Sequence, residues 1–133
     1  MNFENPDYDS APALRTIAMP ADTNANGDIF GGWLLSQMDL AGSVIAHKKA
    51  GTRVATIAID GMSFKQPVSV GDEVSCYATV EKIGRTSITI HVESWARPRL
   101  AEKAHKVTEG KFTYVAIDEN RKPVPVLRGQ QNS

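Results

Sequence analysis

One long apolar segment followed by four segments of alternating polarity constrains this fold more than any other sequence feature. Residues 31–49 carry large and small apolar side chains with no single polar stripe, which predicts one helix buried on most of its sides. After the break at 48–53 the pattern changes from a period near 3.6 to a period of 2, which predicts strands. The predicted strands cover 54–67, 72–83, 86–97 and 106–118, after a short first strand at 13–20.

The order of these elements predicts the architecture. Short turns join the later strands, so these strands are expected to be antiparallel neighbours. One buried helix wrapped by an antiparallel five-stranded sheet is the simplest way to pack them, and the fold class is therefore α+β. The expected domain covers 13–118, with a loose arm at 1–12 and a tail at 119–133 that lies outside the core.

Composition excludes several classes of function. The 15 basic residues balance the 15 acidic residues, which argues against nucleic-acid binding driven by net charge. A single cysteine, Cys76, allows no internal disulfide and no cysteine-rich zinc site, and no metal site is expected. No stretch reaches the roughly 18 apolar residues of a membrane span, and the acidic N-terminus is unlike a signal peptide. These features predict a cytoplasmic protein that does not insert into membranes.

An acid inside the apolar helix needs a physical reason. Asp39 lies between Met38 and Leu40, where an unpaired carboxylate would be costly to bury. Perturbed acids of this kind occur at active sites, where they act as bases or nucleophiles. The alternative is a structural aspartate that bonds to a neighbouring strand or to Ser36.

Two glycines precede the apolar run. Gly31 and Gly32 would begin the helix, where free backbone N–H groups and the helix dipole attract a negatively charged oxygen. This pattern suits an oxyanion hole for a polarised carbonyl, although a tight turn alone would also explain it. The three histidines show no ligand spacing, and we expect all of them to be ordinary surface or half-buried residues.

A polar turn between two strands offers another candidate site. The sequence Gly84–Ser87 is typical of a hairpin turn. It could also bind a phosphate through Arg85 and the hydroxyls of Thr86 and Ser87.

Four segments carry a resemblance to a known family, and they are LRTIAMPADTNANGDIFGGWLLSQMDLAG, FKQPVSVGDEV, KIGRTSI and KFTYVAID. Together they resemble the bacterial YciA-type acyl-CoA thioesterases of the hot-dog fold, and the resemblance extends from about Leu14 to Asp118. The resemblance implies the same helix-in-sheet fold and the hydrolysis of acyl-CoA to a free acid and CoA. This sequence departs from its relatives near Arg97–His105 and in the tail, where the resemblance implies contacts with the CoA nucleotide.

The resemblance also implies roles for individual residues. The catalytic aspartate of the family corresponds to Asp39, and the helix-start amide to Gly32. A loop Asn or Asp of related enzymes corresponds to Asp28. Asn26 and Gly31 are expected to contact the substrate, as are Arg85, Thr86 and Ser87. No cofactor is expected, because CoA belongs to the substrate, and dimers grouped three to a hexamer are implied.

The same fold suits two other functions, a regulatory binding module and a dehydratase. A regulatory module would bind acyl-CoA without hydrolysing it, but no DNA-binding segment accompanies this domain. A dehydratase would need a histidine beside the acid, and His47 lies about 12 Å from Asp39 along the predicted helix.

Overall fold

The computed structural model describes residues 11–126. Its elements are β1 (Leu14–Ile17), α1 (Gly31–Ala50), β2 (Arg53–Phe64), β3 (Glu73–Ile83), β4 (Ser87–Arg97) and β5 (His105–Ile117), with a short 3₁₀ turn at Pro20–Asp22. The five strands form one antiparallel sheet in the order β1-β3-β4-β5-β2. The prediction of one long helix and five antiparallel strands is confirmed, and β1 is shorter than predicted. The expectation that β2 and β3 are neighbours is wrong, because the segment 65–72 is a crossover that bonds to Val107 and Ala18, and β2 pairs with β5 instead.

The helix α1 packs on one face of the sheet. Alternate residues of β4, such as Ile88, Ile90 and Val92, are buried on that face, as period-2 patterning requires. Bulges interrupt the pairing of β2 with β5 and of β3 with β4. Because a bulge bends a strand and increases its twist, they curve the sheet around the helix.

The helix is less buried than the sequence predicted. Met38, Ala41 and Gly42 are buried, but Leu40 and Val44 are 54% and 43% exposed. The prediction of a helix buried on most sides is therefore wrong for one chain by itself. The sheet covers one side of α1, and the apolar residues on the other side have no cover within residues 11–126.

The tail also differs from the prediction. Val126 is fully buried, and its amide donates to the Arg85 carbonyl at 2.9 Å. Val124 packs against the core and donates to the Ala116 carbonyl. The expectation that the chain leaves the core after Asp118 is therefore wrong as far as residue 126. The rest of the predicted tail, and residues 1–10 of the predicted arm, lie outside the described residues.

Candidate active site

Asp39 lies in the middle of α1 and faces the sheet. Its Oδ1 atom accepts a hydrogen bond from the Thr56 hydroxyl of β2 at 2.8 Å and one from the Tyr114 hydroxyl of β5 at 3.1 Å. Ser36 donates instead to the Trp33 carbonyl. Asp39 is thus bonded to neighbouring strands, as the structural interpretation expected, and it remains half-buried beside the uncovered side of the helix.

Tyr114 reaches Asp39 because Gly42 has no side chain. The Tyr114 hydroxyl occupies the place of a Cβ atom at Gly42, and its Cζ would be only 3.0 Å from that atom. The same hydroxyl lies 2.8 Å from the backbone carbonyl of Asp39. Burial, followed by the nearby Asp39 carboxylate, raises the pKa of Tyr114 well above its ordinary value. Tyr114 therefore keeps its proton and acts as a donor.

Sequence reasoning missed both hydroxyl partners. Thr56 and Tyr114 stand directly opposite each other in the β2–β5 ladder. Each lies in an ordinary β-branched or aromatic strand segment, and only the pairing of β2 with β5 brings them together. An acid in an apolar helix could have prompted a search for strand hydroxyls, but the predicted pairing of consecutive strands does not place β2 beside β5.

The helix start is open. Helix α1 begins after Phe30, which provides no side-chain cap, and neither Gly31 nor Gly32 donates a backbone hydrogen bond to another of the described residues. A Cβ atom at Gly32 would meet nothing within 4 Å, whereas one at Gly31 would touch the Phe64 ring at 3.4 Å. The structure therefore places two exposed N–H groups at the positive end of the helix dipole.

The loop before the helix is organised by Asn24. Its side-chain carbonyl accepts hydrogen bonds from the backbone amides of Asn26 and Asp28 at 2.9 and 3.1 Å. The side chains of Asn26 and Asp28 are exposed and form no hydrogen bond within residues 11–126. The loop thus presents two polar side chains close to the helix start.

Within one chain the structure does not bring Asp28 and Asp39 into contact. They are separated by the first turns of α1, about 12 Å at the helical rise of about 1.5 Å per residue. No imidazole bonds to Asp39 among the described residues, so the His–acid pair of a dehydratase is not formed there.

The Arg85–Ser87 turn lies at the far end of the sheet from the helix start. Ser87 pairs with Val115 at one end of β5, whereas Phe64, which touches Gly31, pairs with Thr108. Seven residues of β5 separate these positions, roughly 23 Å along a strand. In one chain the predicted phosphate turn and the predicted oxyanion hole are therefore well apart.

An apolar cleft of about 180 Å³ opens beside Gly31. Its lining is mostly apolar and comes from the loop, the helix start and the segment after β2. The lining residues are Ile29, Phe30, Gly31, Leu34, Phe64, Gln66, Pro67, Val68 and Val107.

A charged network on the other face of the sheet was also not foreseen. His91 Nε2 lies 3.1 Å from Glu109 and 3.7 Å from the fully buried Glu93. The three groups are close enough to share a metal ion. However, the Lys106 ammonium lies 2.8 Å from Glu109, and the Trp95 indole donates to Oε1 of Glu93, so Oε2 is the one oxygen of Glu93 that accepts no hydrogen bond among the described residues. We interpret the cluster as an ion-pair network; His91 is half-buried, as predicted, but it is not an isolated residue.

Burial raises the pKa of two further ionisable groups. Desolvation raises the pKa of the Glu93 carboxyl, against the opposing effects of Trp95 and Lys106. Burial also raises the pKa of Cys76 to about 12, which keeps the thiol protonated and unreactive. Cys76 is fully buried and is therefore a core thiol.

Comparison with known proteins identifies the family. A sequence model of the thioesterase superfamily matches residues 26–102, more than half of the chain. The chain belongs to the thioesterase superfamily. The matched range includes the loop from Asn26 onward, the whole of α1 and strands β2 to β4.

Individual relatives of this thioesterase cover most of the chain. This chain is 53% identical over 116 residues to the acyl-CoA thioester hydrolase YciA of Salmonella typhimurium, and the match covers 85% of this chain and 87% of the relative. A hexameric thioesterase from Yersinia pestis superposes with a TM-score of 0.83 at 52% identity, covering 89% of this chain and 96% of that one. A hexameric hot-dog thioesterase from Campylobacter jejuni gives 0.84 at 41% identity, covering 91% and 93%. The predicted family and hot-dog fold are confirmed. Within residues 11–126 the thioesterase has no helix that is long and apolar enough to cross a membrane.

Proposed function

We propose that this thioesterase hydrolyses acyl-CoA to a free acid and CoA, with Asp39 as the catalytic carboxylate. The observation that carries the proposal is the acid in the middle of α1, half-buried and oriented by two hydroxyls, in a chain whose relatives are named acyl-CoA thioester hydrolases. Asp39 either removes a proton from the attacking water or attacks the thioester carbon itself. The two routes share one geometry, and both need an oxyanion hole.

The Gly32 amide is the proposed oxyanion donor, with the helix dipole behind it. An oxyanion donor works at about 2.7–3.1 Å from the developing charge, and the attacking atom lies about 3–3.5 Å from the carbonyl carbon. Gly32 and Asp39 of one helix are about 10 Å apart along its axis. Tyr114, which bonds to Asp39, lies beside Gly42, toward the other end of the helix. The carbonyl of one thioester is therefore closer to both groups when Gly32 belongs to one chain and Asp39 to another.

A two-fold dimer supplies that second chain. Strand β2 is an edge of the sheet, and Ile57 on it is 59% exposed. Leu40 and Val44 of α1 are exposed as well, which leaves an apolar surface of the kind that subunits bury. Antiparallel pairing of two β2 edges would place each helix start next to the partner's Asp39. Since similar thioesterases are hexameric, we propose three such dimers per hexamer.

The remaining residues bind substrate in this proposal. Asp28 and Asn26 enter the site together with Gly31 and Gly32 of the same chain, and the apolar cleft beside Gly31 contacts the acyl group. Arg85, Thr86 and Ser87 contact phosphates of the CoA nucleotide. Their distance from the helix start of the same chain fits a dimer, because the two-fold axis brings opposite ends of two sheets together.

The chemistry requires no cofactor and no metal, since water is the second reactant and CoA leaves as product. The single buried thiol of Cys76 suits a reducing compartment, and a cytoplasmic location is part of the proposal.

The experiment is Asp39→Asn assayed on a panel of acyl-CoA substrates with a thiol reagent. The substitution keeps the shape and removes the basicity, so kcat should fall by about 10²-fold or more. Circular dichroism and the oligomeric state should match the wild type. A variant that keeps near-wild-type kcat would make Asp39 structural and would contradict the proposal.

A further inference from the structure

The two oxygens of the Asp39 carboxylate have different surroundings. Oδ1 accepts a hydrogen bond from the Thr56 hydroxyl, and it shares the proton of the Tyr114 hydroxyl with the backbone carbonyl of Asp39. No hydrogen bond or ion pair to Oδ2 is formed within residues 11–126. A carboxylate held through one oxygen is fixed in orientation while the other oxygen keeps its lone pairs available.

Both donors are fixed by the sheet. Thr56 and Tyr114 are a directly opposed pair of the β2–β5 ladder, so their side chains project toward the same face. Tyr114 is fully buried, and Gly42 leaves the space for its hydroxyl. Because burial raises the pKa of Tyr114, the phenol donates throughout the physiological range.

We propose that Thr56 and Tyr114 are positioning residues that bind Oδ1 of Asp39 and so make Oδ2 the atom that acts on the water or the thioester carbon. The inference rests on the proposed function of Asp39. It adds which oxygen reacts and which residues orient it.

The test compares kcat and KM for Thr56→Val, Tyr114→Phe, the double variant and Thr56→Ser. Valine replaces the Thr56 hydroxyl with a methyl group of similar size, and phenylalanine removes the Tyr114 hydroxyl. A hydrogen bond to a charged group supports roughly a tenfold change, so each single variant should lose about 10-fold in kcat and the double variant about 100-fold. KM should stay close to wild type, because neither hydroxyl contacts substrate, and Thr56→Ser should keep wild-type kcat.

Thr113→Val is the matched control. Thr113 lies on β5 next to Tyr114, and its hydroxyl approaches Thr89 at 3.4 Å rather than Asp39. This variant should leave kcat and KM unchanged. A general loss of stability would reduce the folded fraction, and with it the apparent kcat, in Thr113→Val as well, whereas loss of positioning lowers kcat per folded enzyme in the Thr56 and Tyr114 variants alone.

Asp39→Asn in the same assay separates the two hypotheses. If Asp39→Asn is inactive but Thr56→Val and the double variant keep wild-type kcat, the positioning role is refuted and the proposed function stands. If Asp39→Asn is itself fully active, the catalytic role of Asp39 is refuted, and the positioning role that rests on it is refuted as well. If Tyr114→Phe does not fold, the contrast between Thr56→Val and Thr56→Ser decides, with the oligomeric state of both variants checked, since Thr56 lies on the proposed dimer edge.

Discussion

Replacing Gly42 by alanine gives a direct test of how α1 packs on the sheet. An alanine Cβ would stand 3.0 Å from Tyr114 Cζ and 3.1 Å from Cε1, and closer still to the hydroxyl. Carbon atoms pack best at about 3.5–4.0 Å, so the ring must recede by about 0.5 Å or more. The hydrogen bond from Tyr114 to Asp39 Oδ1 is 3.1 Å long, and it would be lost at about 3.6 Å.

The expected cost follows from three contributions. Overpacking costs about 1–3 kcal/mol, and the lost hydrogen bond about 1 kcal/mol. Alanine is favoured over glycine inside a helix by about 1 kcal/mol, which offsets part of this. Gly42→Ala should therefore lower the free energy of unfolding by about 1–3 kcal/mol, although helix propensity alone predicts a gain in stability.

The assay is urea denaturation at fixed protein concentration, with activity measured in parallel. In a Tyr114→Phe background the hydroxyl is absent, so the cost of Gly42→Ala should fall by about 1 kcal/mol. Gly32→Ala is the control for stability, since its Cβ would meet nothing within 4 Å. A Gly42→Ala variant that is more stable than wild type would refute the packing of Tyr114 against the helix.

Three further predictions concern other parts of the molecule. Arg85→Ala should raise KM for acyl-CoA more than it lowers kcat, because a remote phosphate contact contributes mostly uniform binding, and the effect should vanish on a pantetheine thioester that lacks the nucleotide. Ile57→Lys places a charge on the exposed edge of β2, so it should dissociate the assembly, as measured by light scattering, and abolish turnover. The control Lys82→Ala should change neither the assembly nor the turnover. Lys106 lowers the pKa of Glu109, so ionised Glu109 stabilises the fold above the ordinary value of 4.5 and loses this effect as the pH falls through its folded value. Glu109→Gln should therefore lower the urea midpoint at neutral pH, and the difference should shrink in acid.

The sequence predicted the elements of the fold because each has a strong local signal. The period-2 segments and the apolar helix give the element order, and Gly31 and Gly51 lie at or next to the ends of the helix. The exposure of Leu40 and Val44 could not be predicted, since the sequence pattern of an apolar residue does not tell whether the sheet or another subunit covers its side chain. The burial of Val126 was missed because prolines and polar residues precede it.

Asp39 could be singled out from the sequence, but its partners could not. Thr56 and Tyr114 are 58 residues apart and meet only through the register of β2 with β5. The same limit applies to His91 and Glu109, which adjacent strands bring together. Local patterns identify an unusual residue, whereas its environment depends on long-range pairing.

Complementation tests most directly the proposal that each active site combines Asp39 of one chain with the helix-start loop of its partner. Asp28→Ala and Asp39→Asn, each poorly active alone, are unfolded together in equal amounts and refolded, and subunit exchange is verified by native mass spectrometry. With random pairing half of the dimers are mixed, and each mixed dimer carries one intact site and one doubly altered site, so about a quarter of wild-type activity should return. Activity that stays at the level of the separate variants, despite verified exchange, would contradict the shared site.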